Sequence, residues 1–368
     1  MKKFFFIFIS FLIILIISNK VAKQFLKQAK LEKNDFIENI KIVYGENYED
    51  YIKVYKQQAY PVLYTPLTEF IERERNEEFV SVSKFGNRCN ENKIKKCKIP
   101  NGGKNEIWIF GGSTTFGYGL KNNETIAAHL DRYLKNKNVI NFGQGYFNST
   151  QNRIFFQNLL TLFPAPESVI FFEGYNDFKI NQINNYKLPI KTSLTKDFEE
   201  LINLKEISKR KKLTKWFKKR FNRLNIVRLY KEKTGNGKYN KTDELLIDNV
   251  DEAYKSLVKR LKINFKINKS IGKNFNIKII NILEPISLSK ENYSTSNLPT
   301  SYFKEYDKKI YHHKNIYSLI KKNNELLSMV DMNLINISIK DKMFIDLTHY
   351  SNEFSKKIAF EIFEYLKK

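Results

Sequence analysis

Beyond residue 104 the chain settles into a rhythm. Short apolar runs recur, each closed by glycine, proline or polar residues: EIWIFGG (106–112), NVINFGQG (138–145), SVIFFEGYND (168–177), IKIINILEP (277–285) and KMFIDLTH (342–349). Runs this short, β-branched and apolar throughout, suit strands buried on both faces. Helix-like stretches lie between them. NETIAAHLDRYLKN sets Ile126, Leu130, Tyr133 and Leu134 on one face, with His129 expected at the helix surface. STQNRIFFQNLLTLF opens at Ser149, a plausible N-cap. VDEAYKSLVKRLKINF repeats apolar residues at Val250, Tyr254, Leu257, Leu261 and Phe265. Strands alternating with helices predict a parallel sheet covered on both sides, whose ligands gather at the carboxyl ends of the strands.

Two regions break the pattern. The stretch from about 182 to 249 reads as an insertion. At its centre SKRKKLTKWFKKRFNRLNIVRLYK, from Ser208 to Lys231, holds eleven Lys or Arg and no acid. Leu213, Trp216, Phe217, Phe221, Leu224 and Val227 form one helical stripe. Two readings stand: contact with anionic lipid or polymer, or a stripe packed on the domain with its lysines in water. The other region is the N-terminus. Lys2 and Lys3 precede FFFIFISFLIILII, Phe4 to Ile17. Fourteen helical residues reach about 21 Å, short of a roughly 30 Å hydrocarbon core, and Val21, Ala22 and snorkelling lysines extend the span. A cleaved signal peptide is the rival, but Ser18-Asn19-Lys20 is a poor cleavage site, so an uncleaved anchor is expected. Between this anchor and the first run, FVSVS (79–83) alternates like a short strand.

Composition changes the picture little. The apolar share, 42%, suits an ordinary core. The net charge of +25 fits either an anionic partner or compositional drift with solvated lysines. Zinc-finger spacing and basic–aromatic RNP motifs are missing, so no nucleic-acid partner is expected. Cys89 and Cys97 are the two cysteines; their spacing does not suit a metal, and they are expected to pair if the domain is exported. No metal or cofactor is expected.

The chain has 14 glycines, and four of them, Gly111, Gly112, Gly117 and Gly119, crowd around Ser113. A Walker loop would need lysine where Tyr118 stands. A nucleophile elbow would need glycine at Thr115. In NFGQGYFN the third glycine of a dinucleotide fingerprint is Asn148. What remains is a tight turn that exposes a serine hydroxyl at a strand end. Serine needs a base to take its proton. Of the four histidines, His312 and His313 lie in a lysine-rich helical segment, whereas His349 follows MFI with Asp346 three residues before it. That carboxylate can orient the imidazole, although D-x-x-H is common in structural roles. Asn176, at the end of a third run, can donate to an oxyanion or simply cap a turn.

Taken in order, Gly111-Gly112-Ser113, Asn141-Phe142-Gly143-Gln144-Gly145, Gly174-Tyr175-Asn176-Asp177 and Asp346-Leu347-Thr348-His349 resemble the four blocks of the SGNH (GDSL-type) hydrolases. The resemblance covers about 106–368, and the stretch 60–88 is similar to the lead-in of some membrane-anchored members. It implies a flavodoxin-like three-layer α/β/α fold with a parallel five-stranded sheet. It also implies Ser113 as nucleophile, His349 as base and then acid, and Asp346 as orienting partner. The backbone N–H groups of Ser113 and Gly145, with the Asn176 side chain, would form the oxyanion hole. Two departures stand out. Gly112 occupies the usual aspartate position, and the second block is one residue short, so Tyr146 competes with Gly145 as donor.

The expected organisation is a signal anchor over 1–22, a juxtamembrane extension over 23–104, and a hydrolase domain over 105–368 carrying the basic insertion. The expected protein is a single-pass inner-membrane esterase with its catalytic domain on the periplasmic side, cleaving O-acyl esters of a lipid or carbohydrate. Two alternatives use the same features: O-acyl transfer to an envelope polysaccharide, and an inactive membrane-anchored binding module.

Overall fold

The computed structural model describes residues 18–19, 35–58, 62–91, 97–178, 250–285, 287, 307–323, 326, 329–332 and 342–368. The apolar segment 4–17 and the basic segment 208–231 lie outside these residues. No helix among the described residues is long and apolar enough to cross a membrane. Nearly all described residues belong to one compact unit comprising Phe36–Ser193 and Ile247–Lys368.

Five strands form its central sheet: β1 (Gly103–Gly111), β2 (Asn138–Asn141), β3 (Pro166–Glu173), β4 (Lys278–Leu283) and β5 (Val330–Asp331). They pair in the order β2-β1-β3-β4-β5, all parallel, which is the flavodoxin-like order. The helices are α1 (Asp35–Tyr44), α2 (Tyr48–Gln58), α3 (Ser113–Phe116), α4 (Ile126–Tyr133), α5 (Ser149–Leu160), α6 (Val250–Phe275), α7 (Asp307–Lys321) and α8 (Asn352–Lys367).

The period-2 alternation of β1 divides the core between two faces. Ile107 and Ile109 join Ile170, Phe172, Ile280 and Ile282 under α4 and α8, which contribute Ile126, Leu130, Phe354 and Ile358. On the opposite face Phe110 stacks on Phe142 and Phe171, while Phe155 and Phe156 of α5 meet it edge-on. Helix α6 closes this face with α7 through Tyr254, Leu257, Leu261, Ile316 and Ile320. The result is a three-layer α/β/α sandwich.

Three local expectations need correction. The fifth strand is Val330–Asp331, a two-residue pairing too short to show a period. Residues 342–349 instead fold back, with Ile345 N–H donating to His349 O and Ser351 N–H to Met343 O. Their apolar character comes from burial of Met343, Phe344 and Ile345 in the core, not from a sheet ladder. The cap of α5 is Asn148, whose side chain accepts from the amides of Thr150 and Gln151, so Ser149 is already the first helical residue. His129 is buried rather than at the surface, its ring held by Asn352 and Arg132. Burial lowers its pKa to about 4, so it is a neutral packing residue at physiological pH.

From Phe36 onward, the juxtamembrane stretch lies in the same compact unit as the sheet. Gln58 at the end of α2 donates to Gly117 O and accepts from Gly119 N–H. Arg88 is almost wholly buried. Its guanidinium donates to Phe116 O (2.9 Å), Gly117 O (2.6 Å) and Leu120 O (2.5 Å), and to Asn122 Oδ1. Phe116 O, Gly117 O and Leu120 O belong to the end of α3 and the loop after it, and Gln58 Nε2 also donates to the last two. Burial, with Arg75 nearby, pulls the Arg88 pKa down to about 9. Arg88→Met is expected to cost about 3 kcal/mol, because four buried bonds from one guanidinium are lost at once. Urea unfolding followed by circular dichroism measures it. The next residue, Cys89, is disulfide-bonded to Cys97.

Candidate active site

The carboxyl ends of β1, β2 and β3 open onto one rim, and the chain from 342 to 351 returns to it. At the end of β1 the backbone turns through Gly112 into α3, which begins with Ser113. Gly143, after β2, lies against this turn. A Cβ there would come within 2.3 Å of Phe116 N and 2.6 Å of Thr115 C, both backbone atoms. Glycine is therefore what lets the second loop press against the serine turn.

His349 reaches the same turn from the far end of the chain. Its Nε2 is 2.8 Å from Ser113 Oγ, and its Nδ1 is 2.6 Å from Asp346 Oδ2. The other carboxylate oxygen, Oδ1, accepts from the amides of Thr348 (2.9 Å) and His349 (2.8 Å). Burial alone would raise the Asp346 pKa. The facing imidazole and the two amides outweigh it and hold the carboxyl at about 2. A carboxylate surrounded by donors keeps the proton of His349 on Nδ1 and leaves Nε2 to accept from the serine hydroxyl. The Tyr118 ring lies 5.5 Å from the imidazole, and its hydroxyl donates to Gln58 O. Burial raises the Tyr118 pKa to about 12, so it walls the histidine as a neutral group.

Asn176 is buried and donates through Nδ2 to Phe147 O at 2.7 Å. This bond fixes which end of the amide faces the serine turn: the nitrogen side lies against Gly112, with its second hydrogen still to place. The backbone N–H groups of Ser113 and Gly145 meet no protein acceptor among the described residues. Their neighbours are committed, since Gly143 N–H donates to Asn141 Oδ1 and Gln144 N–H to Gly111 O. Tyr146 has φ of 66°, a left-handed conformation that turns the chain sharply after Gly145. A side chain at position 112 would have to push the Asn176 amide aside. A Cβ at Gly112 would sit 2.4 Å from Asn176 Nδ2. Gly112→Ala is accordingly expected to displace that amide, break its bond to Phe147 O and cost about 1 kcal/mol of stability, which urea unfolding measures.

The solved structures that resemble this one include these two. The first is a protein from Desulfitobacterium hafniense DCB-2 described as a lipolytic protein of the G-D-S-L family. It shares 12% identity, with 71% of this chain and 99% of that chain covered and a TM-score of 0.36. The second is an acetyl xylan esterase, AlAXEase, with 14% identity, the same coverages and a TM-score of 0.37. Both are distant, and the fold assignment rests on the strand order of this chain. No family model and no curated protein sequence matches the chain.

The residues nominated for catalysis and for the oxyanion hole lie on this rim, and the nominated cysteines, Cys89 and Cys97, pair with each other. Ser113, His349 and Asp346 form one hydrogen-bonded line, and Gly145 and Asn176 stand on the adjoining loops. His312 and His313 fall within α7. No cluster of metal-ligating side chains occurs among the described residues. Sequence reasoning missed Thr114, Tyr118 and Glu284, which were visible only as a neighbour of the serine, a misplaced Walker residue and a strand ending. Asp177 is structural: its carboxylate accepts from Ser149 N–H and Oγ–H and so ties the third loop to α5. Burial raises its pKa to about 6, and the Ser149 bonds oppose that shift.

Proposed function

We propose that the protein is a serine esterase that hydrolyses O-acyl esters through Ser113, His349 and Asp346. The observation that carries the reading is the unbroken relay from Asp346 Oδ2 through both ring nitrogens of His349 to Ser113 Oγ. In the first half-reaction Ser113 Oγ attacks the ester carbonyl carbon as its proton passes to His349 Nε2. The oxyanion so formed takes hydrogen bonds from the Ser113 and Gly145 amides and from Asn176 Nδ2. The imidazolium, stabilised by Asp346, returns the proton to the departing alkoxide, leaving an acyl-serine and a free alcohol. Water then attacks the acyl-serine, giving up a proton to His349, and releases the carboxylic acid and the serine hydroxyl.

The substrate class is an acyl ester of a lipid or carbohydrate. The chain would be held to the membrane through Phe4 to Ile17, with the catalytic unit on the extracytoplasmic side. The Cys89–Cys97 disulfide supports that side, since such bonds persist in oxidising compartments. The test is to treat the full chain, in detergent, with a fluorophosphonate probe and map the modified residue by peptide mass spectrometry. The expected result is a single adduct on Ser113, formed more slowly while a saturating excess of p-nitrophenyl acetate is present. No adduct, or labelling that persists in Ser113→Ala, overturns the reading.

A further inference from the structure

The catalytic machinery comes from loops that are far apart in sequence, and their relative placement has to be enforced by something. Ser113 follows β1 and Asn176 follows β3, and these two loops meet at Glu284, the residue after β4. Glu284 is buried, 4% exposed. Its Oε2 accepts from Thr114 Oγ1–H at 2.6 Å, and its Oε1 accepts from the Tyr175 amide at 2.6 Å. Its own amide donates to Glu173 O at 2.9 Å, which anchors the backbone to the end of β3. Thr114 is the residue after Ser113, and Tyr175 is the residue before Asn176. We propose that Glu284 is a positioning residue, its two carboxylate oxygens clamping the nucleophile turn and the oxyanion-donor loop at a fixed separation.

The chemistry suits the task. A carboxylate offers two acceptors a fixed distance apart on one rigid plane, and each bond to it is charge-assisted. The strand ladder alone does not set this separation, because both loops begin where pairing stops. Gly174 leaves the Glu284 side chain room between them: a Cβ there would lie 3.3 Å from Glu284 Cγ. The clamp acts on the distance from Ser113 Oγ to the Asn176 amide, and a displacement of about 1 Å there costs about 10²-fold in rate. Substrate affinity depends on other surfaces, so the effect falls on kcat.

This inference rests on the esterase reading. It is tested on the full chain with p-nitrophenyl acetate, using Glu284→Gln, Glu284→Leu, Thr114→Val and the double variant Glu284→Leu/Asn176→Ala. Glutamine can still accept from the Tyr175 amide while its NH₂ donates to the Thr114 hydroxyl, so Glu284→Gln is expected to stay within about fivefold of wild type. Glu284→Leu is expected to lose about 10²-fold in kcat with KM within about twofold. In the Asn176→Ala background the same change is expected to cost less than about fivefold, because the group it positions is gone. Thr114→Val breaks one arm of the clamp and is expected to lower kcat about tenfold, again with KM held; it serves alone if Glu284→Leu does not fold. Full kcat in Glu284→Leu or Thr114→Val, or a Glu284→Leu loss undiminished without Asn176, overturns the positioning role while leaving the esterase reading intact. A wild-type chain without Ser113-dependent turnover overturns both.

Discussion

Replacing His349 with alanine is expected to lower kcat for p-nitrophenyl acetate by about 10⁶, and Ser113→Ala by a similar factor. The double variant is expected to be no worse than either single one. The reason is geometric. Ser113 Oγ lies 2.8 Å from His349 Nε2, so one proton connects the two side chains. Without the imidazole the hydroxyl has no base, and without the hydroxyl the imidazole has no nucleophile to activate. Two losses that remove the same step do not multiply. Residual turnover above the uncatalysed rate is expected in all three variants, because the amide donors still stabilise an oxyanion generated by water. Initial rates measured at high enzyme concentration, with background hydrolysis subtracted, give the comparison. A double variant that loses a further large factor would mean that the two residues act in separate steps.

Asp346→Asn is expected to lower kcat by about 10⁴ with the fold intact. Oδ1 of Asp346 accepts from two backbone amides and Oδ2 faces His349 Nδ1. Every direction around this side chain therefore holds a donor. Asparagine has one acceptor oxygen, and the two backbone amides claim it. Its NH₂ then points at Nδ1 and drives the ring proton to Nε2, where the histidine donates to Ser113 instead of accepting from it. The same change alters the response of stability to pH. The native pKa of about 2 lies below that of an unfolded aspartate. The ionised group therefore stabilises the fold by roughly 2 kcal/mol above about pH 4, and that contribution is lost as pH falls through 2. In Asp346→Asn this acid-side slope is expected to flatten, which urea midpoints between pH 2 and 6 measure. The wild-type carboxylate remains charged over that range down to about pH 2.

The sheet was legible because β1 to β4 are apolar on both faces. Ile107, Trp108, Ile109 and Phe110 are all buried, and a run of that kind announces a covered parallel strand. Val330–Asp331 was not legible, since two residues carry no period and pairing is decided by what lies beside them. His129 was misplaced for a related reason: a polar residue on a helix reads as surface unless its partners, here Asn352 and Arg132, are known. The site residues could be nominated from block order. Their contacts could not, because 236 positions separate Ser113 from His349 and only the fold brings them together. Glu284 carried no signal beyond standing before a proline at a strand end. Its role depends on side-chain bonds to Thr114 and Tyr175, which no local pattern encodes.

The stretch from Phe36 to Cys97 has a practical meaning for anyone trimming this chain. It looks like a stalk, and a cut just ahead of Gly103 would be the natural choice for a crystallisation fragment. Such a fragment would leave behind Gln58 and Arg88, the side chains that grip the loop immediately downstream of the serine. The shortest piece worth purifying begins ahead of Phe36.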